Sequence, residues 1–362
     1  MAKHNASNER VKREYFSFLT GAKGRDSTTV DRVAKSLARF ESSTGHKNFK
    51  RFHREQALAF KRRQGEALNE RSGERLSKAT IQSTLRDLKK FFEWLAREPG
   101  FRSHIEYADA DYFNLSEKDT AIARARREKA VPTLEQVAHV LANMPSATVL
   151  ERRDRALVAF AAITGARVMA LATFRLGHVN IEAGYVDQDA RTVAAKFAKT
   201  FRTVFMPVCD AALEIVAQWV AELSGAHLWG PDDPLFPATV MGLDESGGFQ
   251  PQGLARHSWA SSGPIRDAFR RAFEGAGLPY HNPHSFRDML VRHAMAMNLS
   301  PEEIKAWSQN LGHSDVLTTF TSYGTVPLHR QSELIRARAA GHGNASIDDK
   351  VLLEALARRL RT

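Results

Sequence analysis

Apolar residues recur every three or four positions through most of the chain, so the pattern is mainly helical. The clearest run is 77–97. Ile81, Leu85, Leu88, Phe92 and Leu95 form one stripe behind Ser77, a good N-cap, and Pro99–Gly100 ends the run. Val33, Leu37 and Phe40 mark an earlier helix opened by capping candidates Ser27 and Thr28, and 54–64 reads as another. Further on, 134–144 is amphipathic. Residues 152–171 turn apolar after a charged start, which predicts a buried helix running into the turn around Arg167. Residues 211–223 and 265–277 are again helical. Between these, Val186, Val193, Val204, Phe205 and Val208 alternate with short polar breaks, which predicts a small antiparallel sheet over 180–208. The stretch 224–263 is rich in Gly, Pro and Ser and reads as a long loop with an apolar anchor at 235–237. Near the C-terminus, Leu352, Leu353, Leu356 and Leu360 lie on one face of a short amphipathic helix.

With 362 residues and 43% hydrophobic content, the chain can build two globular domains. It has no apolar run near the length of a membrane span and no hydrophobic leader, and Cys209 is the only cysteine, so no intrachain disulfide can form. A cytoplasmic location is the expectation. The charge is lopsided. Residues 1–130 carry 29 Lys/Arg against 18 Asp/Glu, whereas 131–362 carry 23 of each, so the whole excess of +11 lies in the first third. That asymmetry fits a polyanion-binding domain attached to a more neutral body, or equally a basic surface kept for solubility. Lys78, Arg86, Lys89 and Lys90 lie mainly off the apolar stripe of the 77–97 helix. Arg124, Arg126, Arg127 and Lys129 form a second basic cluster in the charged stretch 113–131.

Three separated segments carry residues suited to phosphate chemistry. They are Thr164–Gly165–Ala166–Arg167, His284–Ser285–Phe286–Arg287, and Leu311–Gly312–His313–Ser314–Asp315–Val316–Leu317–Thr318–Thr319, which is followed by Tyr323. In this order and wording they resemble the tyrosine recombinase (phage integrase) family, whose corresponding motifs are TG-x-R, H-x-L-R and LGH…T…Y. The stretch "LSKATIQSTLRDLKKFFEWL" resembles the end of that family's N-terminal core-binding domain, and "AKFAKTFRTVFMPV" its β-hairpin, where the first lysine is the catalytic one. The resemblance covers most of 8–340.

It implies a mainly α fold. A helical, SAM-like core-binding domain would span 8–112, a basic linker 113–131, and a mostly helical catalytic domain with a small antiparallel β-sheet 132–340. A tail over 341–362 would dock on a neighbouring subunit or fold back on its own domain. It also implies a site-specific recombinase that cuts and rejoins double-stranded DNA as a homotetramer on two DNA sites, nucleoid-associated, with no cofactor and no metal. Tyr323 would be the nucleophile. A phenol of pKa about 10 needs a cationic surround to attack at neutral pH. Arg167 and Arg287 would fork onto the non-bridging phosphate oxygens. Lys196, with Lys199 as the alternative, would protonate the leaving 5′-oxygen. His284 would serve the Tyr323 proton and the phosphate, and His313 would be a further phosphate donor. The spacing of His281, His284 and His293, with no cysteine nearby, does not read as a zinc site.

Two departures from the family pattern stand out. Tyr323 comes one place later than usual after the LGH histidine, a step worth roughly 100° on a helix, and Ala170 stands where many members have an acid. These keep alive a catalytically silent DNA-binding protein of the same fold. A type IB topoisomerase-like or telomere-resolving enzyme would use the same side chains.

Overall fold

A computed structural model of the chain describes residues 4–70, 72–125, 130–194, 200–244, 246–297, 299–313, 333 and 336. The chain divides into two compact units, Met1–Arg127 and Glu128–Thr362.

Unit 1 contains α1 (Ala6–Ser17), α2 (Ser27–Thr44), α3 (Arg54–Glu66), α4 (Lys78–Leu95) and α5 (Glu117–Arg124), with a π-helical turn at Phe18–Ala22. Ser77 caps α4, its hydroxyl accepting from the Thr80 amide at 3.2 Å. At α2 the cap is Asp26 rather than Ser27 or Thr28. Its carboxylate accepts from the Thr29 amide at 2.7 Å, and an ionised acceptor is the stronger partner for an orphan amide. The whole α4 stripe is buried. Phe91 and Phe92 sit in an aromatic core with Phe40, Phe49, Phe52 and Phe113, the Phe52 and Phe92 rings stacked with centroids 3.8 Å apart. Each such side chain contributes about 1.5–3 kcal/mol by leaving water. These rings are therefore packing residues. Trp94, at the margin, lies 4.9 Å from Tyr15. Within the stretch read as a linker, α5 is an ordinary capped helix, with Ser116 accepting from the Asp119 amide.

Unit 2 runs α6 (Leu134–Asn143), α7 (Val149–Thr164), α8 (Val168–Thr173), β1 (Val179–Asn180), β2 (Tyr185–Gln188), β3 (Phe201–Val204), α9 (Asp210–Gly225), β4 (Pro237–Leu243), β5 (Phe249–Ser258), α10 (Gly263–Gly275), α11 (Pro283–Ala296) and α12 (Pro301–Asn310). The fold is thus mostly helical with small antiparallel sheets. Strands β1, β2 and β3 form one sheet in that order, with Val186 opposite Thr203 and Gln188 opposite Phe201. The core lies around α7, which is buried from Ala156 to Thr164.

Two expectations change. The single helix over 152–171 is broken into α7 and α8, because Gly165 enters the left-handed region at φ 57° and ends the first helix. The supposed loop over 224–263 contains the β4–β5 hairpin. Its strands form an isolated ribbon interrupted by register shifts, with Val240, Met241, Leu243 and Phe249 exposed, so no face shows the alternation that marks a half-buried strand. The buried Arg153 holds its base, donating to the Pro237 carbonyl at 3.0 Å and the Thr239 hydroxyl at 2.9 Å. The apolar anchor before it is real: Leu235 and Phe236 are fully buried. The amphipathic helix over 348–360 and the tail 341–362 lie outside the described residues.

Candidate active site

The Thr-Gly-Ala-Arg turn is built by its own residues. Thr164 donates its hydroxyl to the Phe160 carbonyl at 2.6 Å and accepts from the Ala166 amide at 3.2 Å. Gly165 supplies the left-handed residue, and a Cβ there would lie 2.8 Å from Leu311 Cδ2 and 3.0 Å from Leu290 Cδ1. No larger residue fits between those leucines. Arg167 follows in extended backbone at the start of α8, half-buried; its carbonyl accepts from the Leu171 amide at 3.0 Å, and its guanidinium makes no hydrogen bond or ion pair to any described residue. Ala170 is buried inside α8, its carbonyl taken by the Phe174 amide at 3.0 Å.

In α11, Asn282 caps the helix by accepting from the His284 amide at 3.0 Å, and Pro283 occupies the first turn. His284 is exposed at this helix start. Arg287, three residues on and hence on the same face, is 3% exposed. Its guanidinium donates to the Gly165 carbonyl at 2.8 Å and to the Leu311 carbonyl. One side chain therefore joins the turn leading to Arg167 and the turn leading to His313.

The third segment closes α12. The helix opens with a Ser300/Glu303 capping box and ends at Asn310. The Gly312 amide then donates to the Gln309 carbonyl at 2.7 Å, and the His313 amide to the Ser308 carbonyl at 3.1 Å. This C-terminal turn requires Gly312 at φ 66°, and the Phe201 ring of β3 lies where a Cβ would be, 2.4 Å from its Cζ. His313 is buried. The structure thus brings Arg167, His284, Arg287 and His313 onto three turns tied through one guanidinium. Lys196, Lys199 and Tyr323 lie outside the described residues. So do the extra residue before Tyr323 and the hairpin loop 195–199. On either side of that loop, the Ala194 amide donates to Thr173 Oγ1 of α8 at 2.8 Å and the Ala190 amide to Thr200 Oγ1 at 3.1 Å.

The sequence model of the phage integrase family matches residues 131–327, more than half of the chain and all three motifs. The chain belongs to the phage integrase family. It is a tyrosine recombinase, and its activity is site-specific DNA recombination. Among relatives, tyrosine recombinase XerC of Xylella fastidiosa strain M23 is 24% identical over 319 residues, covering 86% of this chain and 90% of that protein. XerC of strain 9a5c is 25% identical over 252 residues, covering 67% and 69%. Among solved structures, a lambda integrase dimer bound to a COC′ core site matches with TM-score 0.59 at 14% identity, covering 88% of this chain and 95% of that one. The Tn1549 transposon integrase in complex with circular intermediate DNA matches with TM-score 0.56 at 16% identity, covering 90% and 98%.

The basic residues of unit 1 differ in their surroundings. Arg86 and Lys90 line a cleft of about 860 Å³ together with Lys23, Arg25 and Arg32. Its floor holds Asp87, whose carboxyl burial pushes above the usual range, with Arg32 and Ser36 opposing. Lys89 instead reaches Asp111 at 2.6 Å, and Lys78 reaches Asp119 at 2.9 Å, so acids compensate both. Arg124 is exposed at the end of α5, and Arg126, Arg127 and Lys129 lie outside the described residues. His281 packs against Phe273 and His293 against Trp307, and the described residues contain no group of His, Cys, Asp and Glu able to hold a metal ion. No described helix is long and apolar enough to cross a membrane. Sequence reasoning missed the residues that tie the hairpin down: Thr173, Thr203 and Asn310. A lone polar side chain gives no signal of its partner, and the one available cue is that Asn310 stands directly before the LGH motif.

Proposed function

We propose that this recombinase cuts duplex DNA by attack of Tyr323 on a scissile phosphate. The P–O5′ bond breaks, leaving a 3′-phosphotyrosine and a free 5′-hydroxyl. Bond energy is retained in the phosphotyrosine, so rejoining needs no ATP. The observation that carries this reading is the Arg287 guanidinium bridging Gly165 and Leu311, because it assembles the three motif turns as one unit. Arg167 and Arg287 would stabilise the charge that develops on the phosphate oxygens, where preorganised donors have their largest effect. His284 would take and return the Tyr323 proton, and His313 would donate to the phosphate. Lys196 would protonate the leaving oxygen. The cleft bearing Arg86 and Lys90 would meet the DNA backbone, supported by Arg124, Arg126 and Arg127, while Lys78 and Lys89 are held by acids. Active assemblies would be homotetramers on two DNA sites, with the 341–362 tail docking on a neighbouring subunit. The chain would work on cytoplasmic, nucleoid-associated DNA.

The test is covalent trapping on nicked suicide duplexes made from DNA flanking the gene. Wild type is expected to give a protein–DNA adduct on a denaturing gel, and Tyr323→Phe to give none. Specific DNA binding by wild type without any adduct would leave a silent DNA-binding protein.

A further inference from the structure

Among the described strands β3 is an edge of its sheet, since the order is β1–β2–β3. An edge strand presents unpaired amides and carbonyls on its outer side. At Val204 both groups are taken by one side chain from another element. The Val204 amide donates to Asn310 Oδ1 at 2.7 Å, and Asn310 Nδ2 donates to the Val204 carbonyl at 2.8 Å. The carboxamide thus acts as a one-residue strand, with one acceptor and one donor at the spacing a neighbouring backbone would offer. A second link lies beside it. Thr203 is fully buried, donates its hydroxyl to the Asn310 carbonyl at 3.0 Å, and accepts from Gln188 Nε2 of β2 at 3.0 Å. Both strands of the hairpin are therefore hydrogen-bonded to Asn310, directly or through Thr203. The next residue, Leu311, accepts from Arg287, and His313 follows two places later. The Phe201 ring against Gly312 completes the contact.

We propose that Asn310 is a positioning residue that locks the β2–β3 hairpin to the turn carrying His313. Asn310 has no direct part in bond making. It fixes strands β2 and β3, between which Lys196 and Lys199 lie in the sequence, relative to Arg287 and His313. Its loss impairs delivery of the proton to the leaving 5′-oxygen as the P–O5′ bond breaks and the bond to the tyrosine oxygen forms. This rests on the reading above, in which a hairpin lysine supplies that proton.

The experiment replaces the 5′-bridging oxygen by sulfur. A thiol has a pKa of about 8.5, so a thiolate departs without a proton donor. Full-length wild type, Asn310→Asp and Thr203→Val are compared on nicked duplexes with either atom, alongside DNA-binding and thermal-unfolding measurements. Asn310→Asp keeps the acceptor for the Val204 amide but sets a carboxylate oxygen against the Val204 carbonyl. It is expected to cleave the oxygen substrate roughly 100-fold more slowly, yet to come within about threefold of wild type on sulfur. Thr203→Val, which preserves shape, is expected to show the same selectivity at about 10-fold, and carries the test if Asn310→Asp does not fold. Equal slowing on both substrates with DNA binding intact, or no slowing on either, overturns the proposal. Lys196→Ala and Lys199→Ala serve as references. If sulfur rescues neither, the lysine role fails, and if wild type forms no adduct with either substrate, the recombinase chemistry fails. Each result removes the basis of the proposal and is distinguishable from a defect confined to Asn310.

Discussion

Arg287 donates a 2.8 Å hydrogen bond to the carbonyl of Gly165, the residue that starts the turn to Arg167. The two arginines of the site therefore differ in what they do for the fold. Arg287 satisfies buried carbonyls from two segments, and a lysine there can reach only one of them. Arg287→Lys is expected to lose about 1–3 kcal/mol of stability, the cost of an orphaned buried acceptor, as well as cleavage. Arg167, with no described partner, should behave otherwise. Arg167→Lys is expected to unfold within about 0.5 kcal/mol of wild type while cleavage falls by about 100-fold or more. Urea denaturation beside single-turnover cleavage separates the two, and equal stability losses would show that Arg167 is structural.

Gly165 is the residue least open to change. Alanine there meets both the left-handed backbone and the two leucine methyl groups under 3.1 Å away. The expected loss is about 2–4 kcal/mol. At temperatures where Gly165→Ala is still folded, cleavage should also fall, because moving Leu311 moves the carbonyl that orients Arg287. A variant with wild-type midpoint and rate would mean the turn relaxes freely.

In unit 1, neighbouring cations on α4 should respond differently to substitution. Arg86 and Lys90 face the cleft, whereas Lys89 is spent on Asp111 and Glu93. Arg86→Ala and Lys90→Ala are each expected to reduce the slope of log affinity against log salt by about 1, and Lys89→Ala to leave it unchanged. Filter-binding titrations across salt concentrations measure this. An effect at Lys89 equal to that at Arg86 would put the DNA on another face.

Burial lowers the pKa of His281 below its ordinary value, and burial together with Arg175 does so for His178. Both are therefore neutral in the folded chain at pH values where the unfolded chain begins to take up protons, near about 6.5. Their contribution to stability is full above that pH and is lost as the pH falls through the depressed folded values. Denaturation midpoints should drop as the pH falls below about 6.5, the ordinary histidine value, and His281→Gln should flatten that fall. A midpoint that rises on acidification would contradict the sign.

The helices were legible wherever one face meets the core, as at Ile81, Leu85 and Leu88 or through 134–143. A turn at Arg167 was legible from its motif, but the helix end at Gly165 was not, because Gly165 sits in an apolar run whose periodicity continues across it. The β4–β5 ribbon was hidden for the opposite reason: only its base, at Ala238 and Ala255, meets the core, and further out its strands carry glycine and proline where alternation would be sought. For the site, the motif wording picked out Arg167, His284, Arg287 and His313, which the fold brings together. What joins them was invisible, since Arg287 bonds to carbonyls and Asn310 to a strand backbone. Main-chain partners leave no trace in residue identity.

Arg287's dependence on carbonyls far apart in the chain also sets when the site can exist. Gly165 is made early, Arg287 and Leu311 late, so a chain still being synthesised holds a complete basic unit 1 well before α11 and α12 emerge. On the proposed function such a nascent chain would engage nucleic acid, but it has no staple between its arginine turns. On the same proposal, competence to break DNA would arrive only with the segment carrying Tyr323, which follows α12 in the chain.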